Sequence, residues 1–241
     1  MAQNKKMAIS TNPLAWLRSV QPRRAIALLL LLLPLTVGAQ TVRDLWLSMP
    51  PSFAPYLSTS LRTQCLDFYD MHTDAQTDNA LKGKSRIDTL TSTFLAATLS
   101  KAHTLQMKLL PASGSGLGSS MVSGSSSSLS SCDSVLCVVR SWDGPKRDSE
   151  VQLFDRQWKP LQAPLTFSAD SFVCRPDTMS EERFSRLVAL LDPIMFSVSL
   201  SPAENVLLVK LSPVVPNPED EKAIEQIFVQ RKLKWDGKTF K

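Results

Sequence analysis

Hydrophobic and polar residues follow two different periods along this chain. In residues 41–49 and 53–71 apolar positions recur every three or four residues, and Leu57, Leu61, Cys65 and Phe68 form one stripe against a polar face. That spacing predicts two amphipathic helices, separated and restarted at Pro50, Pro51 and Pro55, whose rings cannot continue a helix. Beyond Asp78 the period drops to two: Ile87, Thr89 and Thr91 alternate with Asp88 and Leu90. Residues 94–99 and 104–110 read as strands joined by a tight connection from Ser100 to His103. Two Asp-Gly pairs, Asp143-Gly144 and Asp236-Gly237, predict hairpins joining 134–142 to 149–154 and 225–235 to 239–241, because glycine reaches the positive φ such turns use. Ser180 caps a third helix with Glu181 and Glu182 in its first turn; it runs through Phe184, Leu187, Val188 and Leu191 and stops before Pro193. Residues 194–200 and 205–211 add two strands, and 214–222 read as a loop. The predicted fold class is α+β: antiparallel sheet built from hairpins, with a few packed helices.

The pattern also repeats. Leu99-Ser100-x-Ala102 followed by Lys108-Leu109-x-Pro111 returns as Leu200-Ser201-x-Ala203 followed by Lys210-Leu211-x-Pro213, and Trp-Asp-Gly lies downstream of each, at Trp142 and Trp235. An internal duplication of a hairpin-plus-hairpin unit, over about residues 76–165 and 180–241, accounts for both matches in the same order. Residues 112–131 interrupt the first copy: 11 of these 20 positions are Ser and 4 are Gly, too little apolar surface to bury, so a disordered loop is expected there. Residues 40–241 are otherwise read as a single α+β domain.

Ahead of this body the pattern changes again. Arg23 and Arg24 precede an apolar run over 25–33, a break at Pro34 and the small residues Val37, Gly38 and Ala39, the layout of a signal peptide over 1–39 cut between Ala39 and Gln40. The run is far shorter than the roughly 20 residues a membrane helix needs, so no transmembrane span is expected after cleavage. The cut changes the charge argument. The whole chain carries +5, but Lys5, Lys6, Arg18, Arg23 and Arg24 precede the cut and no acid does; taking those five from 27 basic residues leaves 22 against 22 acidic ones. A neutral mature body removes the case for nucleic acid as a partner. In an exported protein the four cysteines, Cys65, Cys132, Cys137 and Cys174, are candidates for disulfide bonding in any connectivity, with buried free thiols as the alternative. Their irregular spacing does not suggest zinc.

Candidate chemistry is sparse. Asp70, His72 and Asp74 alternate after the second helix and would align hard and borderline metal ligands on an extended segment, the basis of a metal-assisted hydrolase reading; a solvated polar loop is the plainer alternative. His103 falls in the predicted turn, where a solvated side chain is expected, and Glu204 takes its place in the second copy. Gly83-Lys84-Ser85 lacks the earlier glycine of a phosphate-binding loop, since Asp78 stands there. Trp46, Trp142, Trp158 and Trp235 could stack sugar rings, a glycan-binding reading, or pack across hairpins. Lys232, Lys234, Lys238 and Lys241 make a basic edge of the kind that keeps sheets from pairing with one another. No catalytic or cofactor-binding set converges in the pattern. The leading expectation is a non-enzymatic module that binds another protein or an envelope component through its sheet.

Residues 41–50, Thr41-Val42-Arg43-Asp44-Leu45-Trp46-Leu47-Ser48-Met49-Pro50, together with Gly83-Lys84-Ser85, Asp88-Thr89-Leu90, Leu105-Gln106-Met107-Lys108-Leu109-Leu110-Pro111, Asp133-Ser134-Val135 and Trp158-Lys159-Pro160-Leu161, resemble an uncharacterised family of exported Bacteroidales proteins, a DUF3256-like domain of unknown function. The resemblance covers most of the mature chain. It implies an address in the periplasm or at the cell surface and no active site. The Ser/Gly stretch departs from the shorter loop expected there. The resemblance further implies O-glycosylation at Asp-Ser/Thr-aliphatic sites, which makes Thr89, Ser134 and Thr178 candidate acceptors.

Overall fold

Residues 40–113, 134–215 and 217–241 are described by the computed structural model. The leader read in residues 1–39, the Ser/Gly stretch from 114 onward and Cys132 lie outside the described residues. Thr41 opens helix α1 (Val42–Ser48): its hydroxyl accepts from the Asp44 N–H while the Asp44 carboxylate accepts from the Thr41 N–H, a reciprocal cap. The second helix begins later than its apolar spacing suggests. Pro55 forces Ala54 out of the helical region, to φ −150° and ψ 75°, so Pro51–Phe53 makes only a 3-10 turn and helix α2 (Thr59–Asp70) starts after a Ser58 cap. Arg62 fastens the two helices together. Buried, it donates to the Leu47 carbonyl at 3.1 Å and the Thr59 hydroxyl at 3.0 Å, while its own carbonyl accepts from Trp46 Nε1 at 3.0 Å.

Six antiparallel strands follow in sequence order: β1 (Thr77–Asp78), β2 (Lys84–Leu90), β3 (Phe94–Ser100), β4 (His103–Pro111), β5 (Ser134–Asp143) and β6 (Arg147–Phe154). Helix α3 (Glu181–Ala189), capped by Ser180, leads to β7 (Phe196–Leu200), β8 (Val206–Leu211), helix α4 (Pro218–Glu225) and β9 (Arg231–Lys234), and the last three strands form a second antiparallel sheet. With four helices and nine strands among the described residues, the fold is α+β. Among the described residues no helix is long and apolar enough to cross a membrane.

Both faces of the larger sheet are covered. Helices α1 and α2 bring Val42, Leu45, Trp46 and Leu66 into one core with Leu95, Leu105, Met107 and Val138. Val135, Cys137 and Val139 belong to the other core, with Leu187, Val209, Ile224 and Ile227 from the second sheet and its helices. Burial on two sides explains why β5 reads as an unbroken apolar run rather than an alternation. Strand β7 lies against β4, β5 and β6, and three of its N–H groups are served by side chains of that sheet: Phe196 by Asp148 (3.3 Å), Val198 by Ser149 Oγ (3.1 Å) and Leu200 by Gln106 Oε1 (2.8 Å). Lys108 strengthens the join. Almost wholly buried, its Nζ donates to the carbonyls of Ser201, Pro202 and Glu204 at 2.6, 3.1 and 2.7 Å, which offsets the desolvation that lowers its pKa.

The β3–β4–β5–β6 meander recurs as β7–β8–β9 closed by a bridge between Trp235 and Phe240. In each copy the Trp-Asp-Gly tryptophan stands opposite the start of the hairpin's second strand: Trp142 pairs with His103, and the Trp235 N–H donates to the Asn205 carbonyl at 2.9 Å. The first of the two turns departs from the Asp-Gly expectation. Three residues, 144–146, separate β5 from β6; Gly144 stays out of the positive-φ region because Pro145 follows it, and an Asp143–Arg147 ion pair at 2.7 Å closes the loop. Gly237 does take positive φ, at 99°. Helix α4 overturns the loop reading of 214–222: Asn217 Oδ1 accepts from the Glu219 N–H at 3.0 Å, Pro218 holds the first turn, and Glu219, Asp220 and Glu221 face the helix dipole.

Candidate functional site: a cleft at the open edge of the larger sheet

The end of α2 and the start of the sheet leave a strand edge bare. The Met71 N–H returns to the Asp67 carbonyl and the His72 N–H to the Tyr69 carbonyl, and His72, at φ 51°, turns the chain left-handed. Residues 73–76 then lead into β1, which pairs with β2 at two positions only, Thr77 with Ser85 and Asp78 with Lys84. From Arg86 to Leu90 no strand among the described residues pairs with the outer side of β2. Beside this edge, against α2 and the 72–76 segment, lies a cleft of about 610 Å3 whose walls include Phe68, Tyr69, His72, Asp74, Arg86 and Asp88.

Two of the three residues that alternate as metal candidates, His72 and Asp74, line this cleft; Asp70 does not. The alternation presumes an extended segment, whereas residue 70 is helical and residue 72 left-handed, so the three side chains are not gathered. Asp70 instead receives both Arg43 guanidinium nitrogens, at 2.6 and 2.8 Å, and that hydrogen-bonded cation holds its carboxyl below the usual carboxylate range. Among the described residues no three His, Cys, Asp or Glu side chains come together to hold a metal. Asp88 accepts from Arg86 Nε at 2.6 Å and from Thr98 Oγ1 at 2.7 Å. Asp74 is exposed and has no hydrogen-bond or ion-pair partner among the described residues.

His103 is not the solvated turn residue its place in the sequence suggests. It is the first residue of β4, 8 % exposed, with Nδ1 2.6 Å from the Tyr56 hydroxyl and its ring stacked on Trp142 at 5.4 Å. Burial, aided by the Arg140 charge, pushes its pKa down, and its Nε2 has no partner among the described residues. Arg140 spans the rings of Trp142 and Phe53 and is held by Glu150 at 2.9 and 3.0 Å. This cluster escapes a reading of the sequence because only the β4–β5 register makes His103 and Trp142 neighbours.

The remaining candidates scatter. Trp46 and Trp158 are buried and Trp235 half-buried, so the tryptophans form no exposed row, and Trp142 is the one with a large exposed surface. Cys65, Cys137 and Cys174 carry free thiols, with Cys65 and Cys137 buried in different cores, so no disulfide joins these three. Thr178 is exposed, Thr89 half-buried, and Ser134 buried with its hydroxyl accepting from Arg156 Nε at 3.0 Å. Lys232 and Lys241 are paired with Glu204 and Asp236.

The model of a family described as "Protein of unknown function (DUF3256)" matches residues 34–134 and 126–240. No curated protein matches the chain. Among solved structures, a domain of an uncharacterised protein from Porphyromonas gingivalis W83 superposes with a TM-score of 0.57 at 21% identity, covering 83% of this chain and 98% of that one. At that identity the likeness is one of fold.

Proposed function

We propose that this chain, which belongs to the DUF3256 family of proteins of unknown function, is a non-enzymatic interaction module that is exported to the periplasm or cell surface and binds a protein or envelope component through its larger sheet. The observation that carries the reading is the uncovered edge of β2 beside a cleft of about 610 Å3. Of the acidic groups at or near the cleft, Asp70 and Asp88 are each tied to an arginine, which supports binding rather than chemistry. Export rests on the order of cations, apolar run and small residues up to Ala39, and Thr178 is the one exposed residue of the three candidate sugar acceptors. The test is a photo-crosslinking amino acid at Gln76, in the cleft wall, and another at Glu182 on α3, with the intact mass of the protein recovered from each cell fraction. A chain beginning at Gln40 outside the cytoplasm, with discrete adducts from position 76 and none from position 182, is the expected result. A full-length cytoplasmic product, or no adduct from position 76, overturns the reading.

A further inference from the structure

We propose that the bare part of β2 is a docking edge for a short extended peptide that carries a basic side chain. This rests on the reading above and supplies its partner chemistry. In an antiparallel ladder a residue's N–H and C=O point to one side, and the side alternates along the strand. The Asn79 N–H bonds the Gly83 carbonyl and Thr77 pairs with Ser85, so Gly83 and Ser85 turn their polar groups toward β1. Arg86 then faces β3, where it pairs with Thr98, and Ile87 presents its N–H and C=O outward, past the end of β1. A register shift between Ile87 and Thr89 resets the alternation, and Leu90 is the next residue to face out. There the Tyr69 hydroxyl closes the edge, 3.1 Å from the Leu90 N–H and 3.4 Å from its carbonyl.

The open donor and acceptor of Ile87 thus lie between two stops, β1 at Ser85 and Tyr69 at Leu90. At about 3.4 Å per residue the gap is roughly 15 Å, room for about four residues of partner strand. The two stops, the bulge and the charges of Arg86 and Asp88 forbid continuous sheet-to-sheet pairing, so the edge suits a short segment and not a second copy of this chain. Strand addition of this kind draws affinity from the main chain and specificity from side-chain pockets beside it. Here the half-buried Phe68 supplies apolar surface, and Asp74 is the carboxylate of the cleft without a cation among the described residues. Its charge selects a lysine or arginine on the incoming peptide.

The probe is an acetylated, amidated pentapeptide of sequence valine-threonine-lysine-valine-threonine, titrated into the purified protein and followed by amide NMR, beside a counterpart with glutamate for lysine. The lysine peptide is expected to shift amides from Arg86 to Thr89 and to slow exchange of the Ile87 amide by about tenfold at saturation. The glutamate peptide is expected to bind about fivefold more weakly, and Asp74→Lys, at an exposed residue without a partner, to reverse that order. No response of the β2 amides at millimolar peptide overturns the proposal, and so does a preference that Asp74→Lys leaves unchanged. If adducts still form from position 76 after such a failure, the peptide chemistry is wrong and the interaction module stands; if neither assay responds, both fall.

Discussion

A proton on His103 has nowhere favourable to go. Nδ1 is engaged with Tyr56, Nε2 is buried without a partner among the described residues, and the Arg140 guanidinium stands nearby, so the folded chain binds a proton less readily than the unfolded one. The sign follows directly. Stability is complete above the unfolded pKa of about 6.5 and is lost as pH falls below it, by up to ~1.4 kcal/mol per unit until the folded pKa is reached. Urea unfolding at pH 7.5 and 5.5 should give a lower midpoint at the acid pH, and His103→Gln should shrink that difference; an undiminished difference in the variant would place the proton elsewhere. Neither His103 nor Lys108 announces its burial in sequence. Lys108 occupies what reads as the polar position between Met107 and Leu109, and its three carbonyl partners lie more than ninety residues away. Residue types were legible; what surrounds them depends on a register and a second layer that no local period encodes.

At the scale of elements, Tyr69 connects helix to strand. Its hydroxyl serves both polar groups of Leu90, which ends the open stretch of β2, so Tyr69→Phe should lengthen that stretch without disturbing the ring's packing. The expected outcome is faster hydrogen exchange at the Leu90 amide with a loss of about 1 kcal/mol in stability, the usual worth of one such bond. An unchanged exchange rate would show that the edge is closed by something else. Strands were the most legible elements, since β3, β4, β6 and β8 lie within a residue or two of where period-two spacing puts them. Helices were less so. The start of α2 is hard to place from sequence because an apolar stripe continues through Leu57 although Pro55 precludes the helix there. Helix α4 is masked for a different reason: the repeat sets 214–222 against the Ser/Gly loop, although Asn217, Pro218 and three following acids are themselves a helix-start signal.

For the whole molecule, the open question is whether two hydrophobic cores on opposite faces of one sheet melt together. Residues 40–241 form one compact unit, and strands β4 and β5 contribute to both cores, Leu105 and Val138 to one, Leu110 and Val139 to the other. Side chains that alternate along shared strands cannot lose one core without loosening the ladder beneath the second, which argues for a single cooperative transition. The duplication was legible because matched turns preserve Leu-Ser-x-Ala and Trp-Asp-Gly, whereas the layering was not, since no local pattern says which face a meander covers. The thiols report on the question directly. Cys65 sits in the core under α2 and Cys137 in the core under β7, and burial raises both pKa values, while Cys174 is exposed. Maleimide should modify Cys174 in the native protein and reach Cys65 and Cys137 only through unfolding. When labelling is fast relative to refolding, the two buried thiols should react at one common rate, read by peptide mass mapping at a series of urea concentrations. A Cys137 that reacts well ahead of Cys65 would mean that the second sheet detaches first, with Lys108 and the side chains that serve β7 forming a hinge rather than a permanent join.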